Sequence, residues 1–148
     1  MIADLSLAIL HHALVFGLAV MMATELARLR PGLAGEEVAR LARLDAGYGG
    51  TAGLIVAIGV LRVIFGVKGA DYYIHNPWFW AKMATFAAIG LLSIPPTVTF
   101  LRWRKAQAAE PAFAPPYSEI ARIRRFLVYQ LGLLILVVAF AATMARMS

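Results

Sequence analysis

The chain has 148 residues and no cysteine, which excludes disulfide bonds, thiolate metal sites and a cysteine nucleophile. It is 61% hydrophobic and 15% charged, with a mean hydropathy of +0.76, whereas soluble domains are about 45–50% apolar and about 25% charged. Its net charge of +6 would favour nucleic acid in a soluble chain, but the basic residues lie beside apolar segments, as in membrane proteins. The composition predicts a single integral membrane domain over residues 1–148 that binds no nucleic acid.

Four apolar segments follow one another along the chain, at residues 2–27, 48–65, 77–101 and 126–145. Each is close to the roughly 20 residues that a helix needs to cross about 30 Å of hydrocarbon. A helix is required because lipid cannot satisfy loose backbone groups. The first segment begins MIADLS, without the basic region of a cleaved signal peptide, so we expect it to be retained. The predicted fold class is all-α, a bundle of four transmembrane helices.

The breaks between these segments carry recognisable helix signals. Arg-Pro-Gly at 30–32 ends the first helix, and Gly-Glu-Glu at 35–37 opens a short amphipathic helix that we expect to run into the second span. Asn-Pro at 76–77 starts the third helix, because proline suits the first helical turn. Pro-Pro at 95–96 falls late in the third span and predicts a kink or an early end.

Lysine and arginine are unevenly distributed among the loops. The first loop has four of them and the third has six, against one in the second loop and one in the C-terminal tail. Cytoplasmic loops are the ones enriched in basic residues. We therefore expect the first and third loops to be cytoplasmic and both termini to face outward.

Four histidine, arginine and lysine side chains lie inside the apolar segments, namely His11, His12, Arg62 and Lys82. A charge in hydrocarbon is costly, so such residues are functional-site hypotheses. With the predicted orientation, all four lie at a similar depth below the outer membrane surface. Helical spacing places His11 on the inward face of the first helix, whereas His12 is rotated about 100° away from it.

A histidine between an arginine and a lysine near a membrane surface suits haem b or another anionic tetrapyrrole. His11 is the predicted axial ligand of the iron, and Arg62 and Lys82 are predicted to bind the propionates. The second axial position stays open between His75, Met83 and no protein ligand. A quinone or a lipid headgroup would suit the same cations. The predicted cofactor site comprises His11, His12, Arg62, Tyr72, His75, Trp78 and Lys82, with His11 as the metal ligand.

The same residues also have structural explanations. Arg62 and Lys82 lie near helix ends and could extend toward lipid headgroups, while His11 could form a hydrogen bond across the bundle. Tyr72 and Trp78 fit an aromatic belt at the membrane interface. The sequence alone leaves these alternatives open.

Other polar and small residues are predicted to stabilise the bundle. Glu25 is expected to pair with Arg28 at i+3, with a proton-relay role as the alternative. Asp45 is expected to pair with arginines of the loops. A run of small residues spaced by four allows close contact between helices and comprises Gly49, Gly53 and Ala57.

Two long runs carry a family resemblance: LARLDAGYGGTAGLIVAIGVLRVIFGVKGADYYIHNPWFWAKMATF and IGLLSIPPTVTFLRWR. They closely resemble the bacterial membrane family called domain of unknown function 2214. The likeness extends from LHHALVF to the MAR near the C-terminus. This resemblance implies a multi-pass protein of the bacterial cytoplasmic (inner) membrane with four spans, and it implies no particular reaction.

Two shorter motifs, LHHALVF and NPWFWAKMATF, are similar to the first and third helices of HemJ-type protoporphyrinogen oxidase. That resemblance implies haem b bound by a histidine of the first helix, which is His11 here, or His12 if the alignment slips by one. It also implies an important lysine on the third helix, here Lys82. The chain has FGLAV where that family has a tryptophan-glycine pattern, so the likeness supports the cofactor site more directly than the oxidase reaction.

Three functions are therefore predicted from the sequence. The first is a haem-binding bundle with a redox role, which could act as a haem-dependent membrane oxidoreductase. The second is a non-enzymatic accessory or assembly subunit, working as a homo-oligomer or within a larger membrane complex. The third is a small proton-coupled transporter that uses the carboxyl group of Glu25.

Overall fold

The computed structural model of the protein describes residues 2–146, apart from the side chain of residue 3. Within that range the chain forms five α-helices: α1 (Ile2–Arg28), α2 (Glu36–Phe65), α3 (Gly69–Ile74), α4 (Pro77–Ala109) and α5 (Tyr117–Arg146). All but α3 are long and apolar enough to cross a membrane. The predicted all-helical fold with four spans is confirmed.

The four long helices form a ring in which each packs against two neighbours. α1 contacts α2 and α5, and α4 contacts the same two helices from the other side. Short connections between consecutive helices make neighbours antiparallel, as in an up-and-down bundle. We call the end that carries α3 the outer end and the opposite end the inner end, following the predicted orientation.

Each long helix buries one apolar stripe and turns another outward. The buried stripes form a continuous core that includes Leu18, Met22, Leu41, Ile55, Ile89, Phe100, Leu127 and Leu134. Outward residues are equally apolar, with Phe16 75% and Ile135 71% exposed. A soluble bundle would carry charged residues on these outer faces. The outer faces are therefore the surfaces that lipid covers.

The predicted amphipathic helix before the second span is the first part of α2 itself. Val38, Leu41 and Ala42 are buried against the core, and the helix continues to Phe65 without a break. The preceding turn contains Gly32 and Gly35, both with positive φ, a conformation that glycine adopts without steric cost. The expectation that this segment runs into the second span is confirmed.

The sequence predicted a kink or an early end of the third span at its two prolines, but the helix does not end there. α4 passes through Pro95 and Pro96 and ends at Ala109. Pro96 has no N–H to donate to the carbonyl of Leu92, but the Nε2 of Gln130 on α5 donates to that oxygen at 3.2 Å. A neighbouring helix thus satisfies the freed carbonyl. The prediction of an early end is wrong for this reason.

The second loop contains a helix that the sequence did not predict. α3 starts at Gly69, whose φ is +73°. The side chain of Tyr73 on α3 is buried against the bundle. The chain then enters α4 at Pro77, where the side chain of Asn76 accepts a hydrogen bond from the backbone N–H of Trp78 at 3.0 Å. The predicted start of the third span at Asn76-Pro77 is confirmed. α3 therefore covers the outer end of the bundle.

The inner end is held by arginine and tryptophan side chains. Nη1 of Arg124 donates to the carbonyls of Leu26 at 2.8 Å and Leu29 at 2.6 Å. These carbonyls lie at the C-terminal end of α1, where no further helical N–H group is available to them. The Nε1 of the buried Trp103 donates to a carboxylate oxygen of Glu119 at 2.7 Å. α4 and α5 consequently extend past α1 as a paired unit.

Candidate functional site

A cavity of about 220 Å³ lies near the outer end, and we call it the outer cavity. Every helix contributes to its wall: His11 from α1, Arg62 from α2, Tyr73 from α3, Lys82 from α4 and Met144 from α5. The structure thus brings together the imidazole, the guanidinium and the ammonium group that the sequence placed at one depth. Helical phase accounts for this convergence, because each of the three lies on the inward stripe of its helix.

The imidazole of His11 lies next to Gly59 of α2. A Cβ built on Gly59 would lie 3.5 Å from Cε1 of His11. The Nδ1 atom of His11 is buried, and it has no hydrogen-bond partner within the described part of the chain. A buried polar atom without a partner costs free energy. The imidazole is therefore available for a ligand that enters the cavity.

The two cations of the outer cavity also lack counter-charges. Nε of Arg62 is buried and finds no hydrogen-bond partner among residues 2–146. The Nζ of Lys82 lies 5.3 Å from the ring centroid of Phe79, within the range of a cation–π contact. Neither Arg62 nor Lys82 takes part in the ion pairs that Arg28, Arg40 and Arg102 form within residues 2–146. Two partly buried cations on one cavity would be compensated by an anionic ligand.

The remainder of the wall is apolar and partly aromatic. Phe79 and Phe86 of α4 line it together with Val15, Leu134 and the thioether of Met83. Such a surface suits the hydrocarbon or ring part of a ligand, because pockets usually combine an apolar lining with a few polar groups. The geometry matches an amphipathic anion.

The other two predicted histidines do not line the outer cavity. His12 is exposed, and its Nδ1 donates to the carbonyl of Ala8 at 2.6 Å on its own helix. His75 is exposed at the end of α3, and its Nδ1 donates to the carbonyl of Asp71 at 3.0 Å.

Tyr72 and Trp78 do not line the outer cavity either. The hydroxyl of Tyr72 donates to the carbonyl of Met144 at 2.9 Å and accepts from Nζ of Lys68 at 3.1 Å. The indole of Trp78 packs on Phe140 of α5, with 5.9 Å between ring centroids. Both residues join the helices that surround the cavity.

The sequence interpretation missed the aromatic residues that do line the outer cavity. Phe79 and Phe86 lie three residues before and four residues after Lys82, so they share its helical face, and this spacing could have identified them. The sequence could not show whether Tyr72 or Tyr73 faces the cavity. That depends on the helical phase of α3, and α3 was not predicted.

Two predicted ion pairs near the inner end are wrong. Arg28 pairs with Glu37, with 2.8 Å between Nη1 and Oε2, and Glu25 points into the core, where it is 1% exposed. Asp45 is also buried and accepts a hydrogen bond from Oγ1 of Thr97 at 3.1 Å. In both cases the carboxyl group lies on a buried face of its helix, whereas the arginines that were expected to pair with it are exposed.

Comparison with known proteins identifies a family and nothing further. The family described as Predicted membrane protein (DUF2214) matches residues 3–147. No curated protein and no solved structure matches the chain. The similarity to HemJ-type protoporphyrinogen oxidase therefore stays a prediction from two motifs.

Proposed function

Because the chain belongs to the family described as Predicted membrane protein (DUF2214), whose description names no activity, we propose a function from the outer cavity itself. The protein binds haem b, or another anionic tetrapyrrole, in the bacterial cytoplasmic membrane and acts there as a redox protein or oxidoreductase. One observation carries this proposal: His11, Arg62 and Lys82 reach the same cavity from three helices, and the first two have buried nitrogens without partners among the described residues.

The residues of the outer cavity fit the parts of a haem. The imidazole of His11 offers the type of nitrogen that ligates haem iron, and it lies next to Gly59 on the cavity wall. Arg62 and Lys82 would bind the two propionates by charge-assisted hydrogen bonds. Of the two side chains considered for the second axial position, Met83 lines the cavity and His75 does not. Haem b, when bound, would supply one-electron transfer.

The size of the outer cavity limits how a tetrapyrrole can enter. Its volume of about 220 Å³ lies below the roughly 300–1,000 Å³ of most small-molecule pockets. A whole macrocycle therefore requires the helices to move apart at the outer end. A quinone or lipid headgroup would need less space and would meet the same two cations. The absorption spectrum of the bound ligand therefore has to distinguish a tetrapyrrole from these alternatives.

An absorption spectrum of the purified protein tests the proposal. Protein from haem-replete cells, or protein reconstituted with hemin in mild detergent, should show a Soret band. His11→Ala should abolish this band, because the axial imidazole is lost. His12→Ala is the matched control and should retain it, since His12 is exposed and turned to the Ala8 carbonyl. A colourless wild-type protein after reconstitution would end the haem proposal.

A second candidate function is that of an accessory subunit, and the small residues of α2 favour it. Gly49, Gly53 and Ala57 are exposed on the outer surface of the bundle, and a Cβ on either glycine would meet nothing within 4 Å. The predicted close packing therefore does not occur inside this chain and would serve a second copy or a larger complex. Purification from native membranes tests this: a monodisperse monomer without partners would count against it.

A further inference from the structure

A second group of polar side chains lies buried in the inner half of the bundle, and we call it the inner polar cluster. All four long helices contribute to it, with Glu25 from α1, Asp45 and Tyr48 from α2, Thr97 from α4 and Gln130 from α5. Glu25 is 1% exposed and Gln130 is fully buried. Glu25 lies about 21 Å along α1 from His11, at 1.5 Å per residue. The cluster is therefore separate from the outer cavity.

Hydrogen bonds engage the two hydroxyl groups and the side-chain amide of the neutral members of this cluster. The hydroxyl of Tyr48 donates to Oε1 of Gln130 at 3.0 Å, and the amide of Gln130 donates to the carbonyl of Leu92 at 3.2 Å. Oγ1 of Thr97 donates its proton to Oδ1 of Asp45 at 3.1 Å. Tyrosine and threonine each have one hydroxyl proton. Neither hydroxyl group has a proton left to donate to Glu25.

The carboxyl group of Glu25 has no cation to balance its charge. Both of its oxygens are buried and lack hydrogen-bond partners within the described chain. The nearby guanidinium groups bind elsewhere, since Arg28 pairs with Glu37 and Arg124 donates to the carbonyls of Leu26 and Leu29. An ionised carboxylate in such surroundings is strongly disfavoured, and the neutral acid is the form that burial permits.

Asp45 is the second carboxyl group of the cluster. It is buried on the neighbouring helix α2, and it forms no hydrogen bond with Glu25, since neither oxygen of Glu25 has a partner within the described chain. Within the part of the chain that the structure describes, no third carboxylate, histidine or cysteine joins them to make a metal site. Two neighbouring buried carboxyl groups without a cation repel each other when both are ionised, which favours a proton on one of them.

We propose that Glu25 and Asp45 form a proton-binding site in which Glu25 carries a proton at neutral pH. The ligand is a proton, because the pair offers two carboxyl groups, no free donor and no counter-charge. Tyr48 and Gln130 fix the surroundings of the pair by linking α2 to α4 and α5. This site does not depend on any cofactor in the outer cavity, so each proposal can fail without the other.

Infrared spectroscopy of the whole protein at neutral pH tests this proposal. The wild type should show the carbonyl band of a protonated carboxyl group, and Glu25→Gln should lose that band. Glu36→Gln is the matched control and should keep it, because Glu36 is exposed and pairs with Arg40. Asp45→Asn should keep the band at a shifted frequency, since the neighbour of the acid has changed.

Three results would overturn the proton-binding site. The first is an unchanged band in Glu25→Gln. The second is loss of the band in Asp45→Asn but not in Glu25→Gln, which would place the proton on Asp45 alone. The third is loss of the wild-type band on addition of sodium ions, which would indicate a metal cation in place of the proton.

A labelling experiment on the wild type avoids any dependence on a variant that fails to fold. Dicyclohexylcarbodiimide is apolar and reacts with protonated carboxyl groups in apolar surroundings. At neutral pH it should modify Glu25, and mass analysis of peptides should locate the adduct there. Modification confined to exposed carboxyl groups such as Glu36 and Glu37 would contradict the proposal.

Discussion

At the scale of single residues, the cations of the outer cavity are expected to favour ligand binding and to lower the stability of the ligand-free protein. Arg62 and Lys82 are partly buried cations that form no ion pair within residues 2–146. A folded protein carries such groups at a cost to its stability. Functional sites commonly keep side chains that lower stability because a ligand uses them. A substitution that removes one of these charges should therefore stabilise the ligand-free protein and weaken the binding of the ligand.

Lys82→Met tests this opposition directly. Removal of the uncompensated ammonium group should raise the unfolding free energy of the ligand-free protein by about 1 kcal/mol. It should weaken the binding of an anionic ligand by about 1.5–3 kcal/mol, the range for hydrogen bonds to charged groups. Thermal unfolding in detergent and a ligand titration measure the two effects.

The control for Lys82→Met is Arg104→Met. It removes an exposed cation near the C-terminal end of α4, which does not line the outer cavity. It should change neither quantity. A Lys82→Met protein that is less stable and binds ligand as before would instead support the alternative in which this lysine extends to lipid headgroups.

Residue-level prediction succeeded where a long helix fixes the phase. His11 and His12 are adjacent, yet a rotation of about 100° per residue separated the cavity residue from the exposed one. It failed for Glu25, because Arg28 lies at the exposed end of α1 and pairs with Glu37 of α2, whereas Glu25 is buried in the core. Sequence spacing gives candidate partners, and only the packing of the helices selects among them.

At the scale of the elements, α4 owes its continuity to α5. Pro96 removes a helical hydrogen bond, and Gln130 replaces it by donating to the Leu92 carbonyl while accepting from Tyr48. The sequence shows the proline pair but not the glutamine that compensates for it, since the two are far apart in the chain. The polar ends of α4 and α5 were likewise missing from the predicted spans, because they extend past the apolar segments.

A double-mutant cycle measures this compensation. Gln130→Leu leaves the Leu92 carbonyl and the Tyr48 hydroxyl without partners and should cost about 1–3 kcal/mol of stability. In a Pro96→Ala background the restored N–H satisfies Leu92, so Gln130→Leu should cost less there. Denaturant or thermal unfolding of the four proteins gives the coupling. Additive effects would show that Gln130 does not compensate for Pro96.

At the scale of the whole molecule, orientation decides which compartment each site faces. The outer cavity lies beside α3, and the inner polar cluster lies toward the basic end of the bundle. The number of spans and the all-helical fold could be predicted, because hydropathy and segment length determine them. The cavity volume and the hydrogen-bond network could not, since both arise from side chains that meet across helices.

Single cysteines can test the orientation without background, because the chain has none. Ala70→Cys, an exposed position on α3, should react with a membrane-impermeant maleimide in intact cells. Ala112→Cys, exposed in the loop between α4 and α5, should react only after lysis. The reverse pattern would place the outer cavity on the cytoplasmic side and contradict the assignment from basic loops.

The central claim is that the outer cavity binds a ligand beside His11, and hemin titration of Gly59→Leu tests it most directly. The leucine side chain should fill the space beside the imidazole while leaving every charged group in place. We expect it to weaken binding at least roughly tenfold, about 1.4 kcal/mol. Gly53→Leu, on the exposed face of α2, should bind hemin like the wild type. Equal binding by all three proteins, or none by the wild type, would contradict the account.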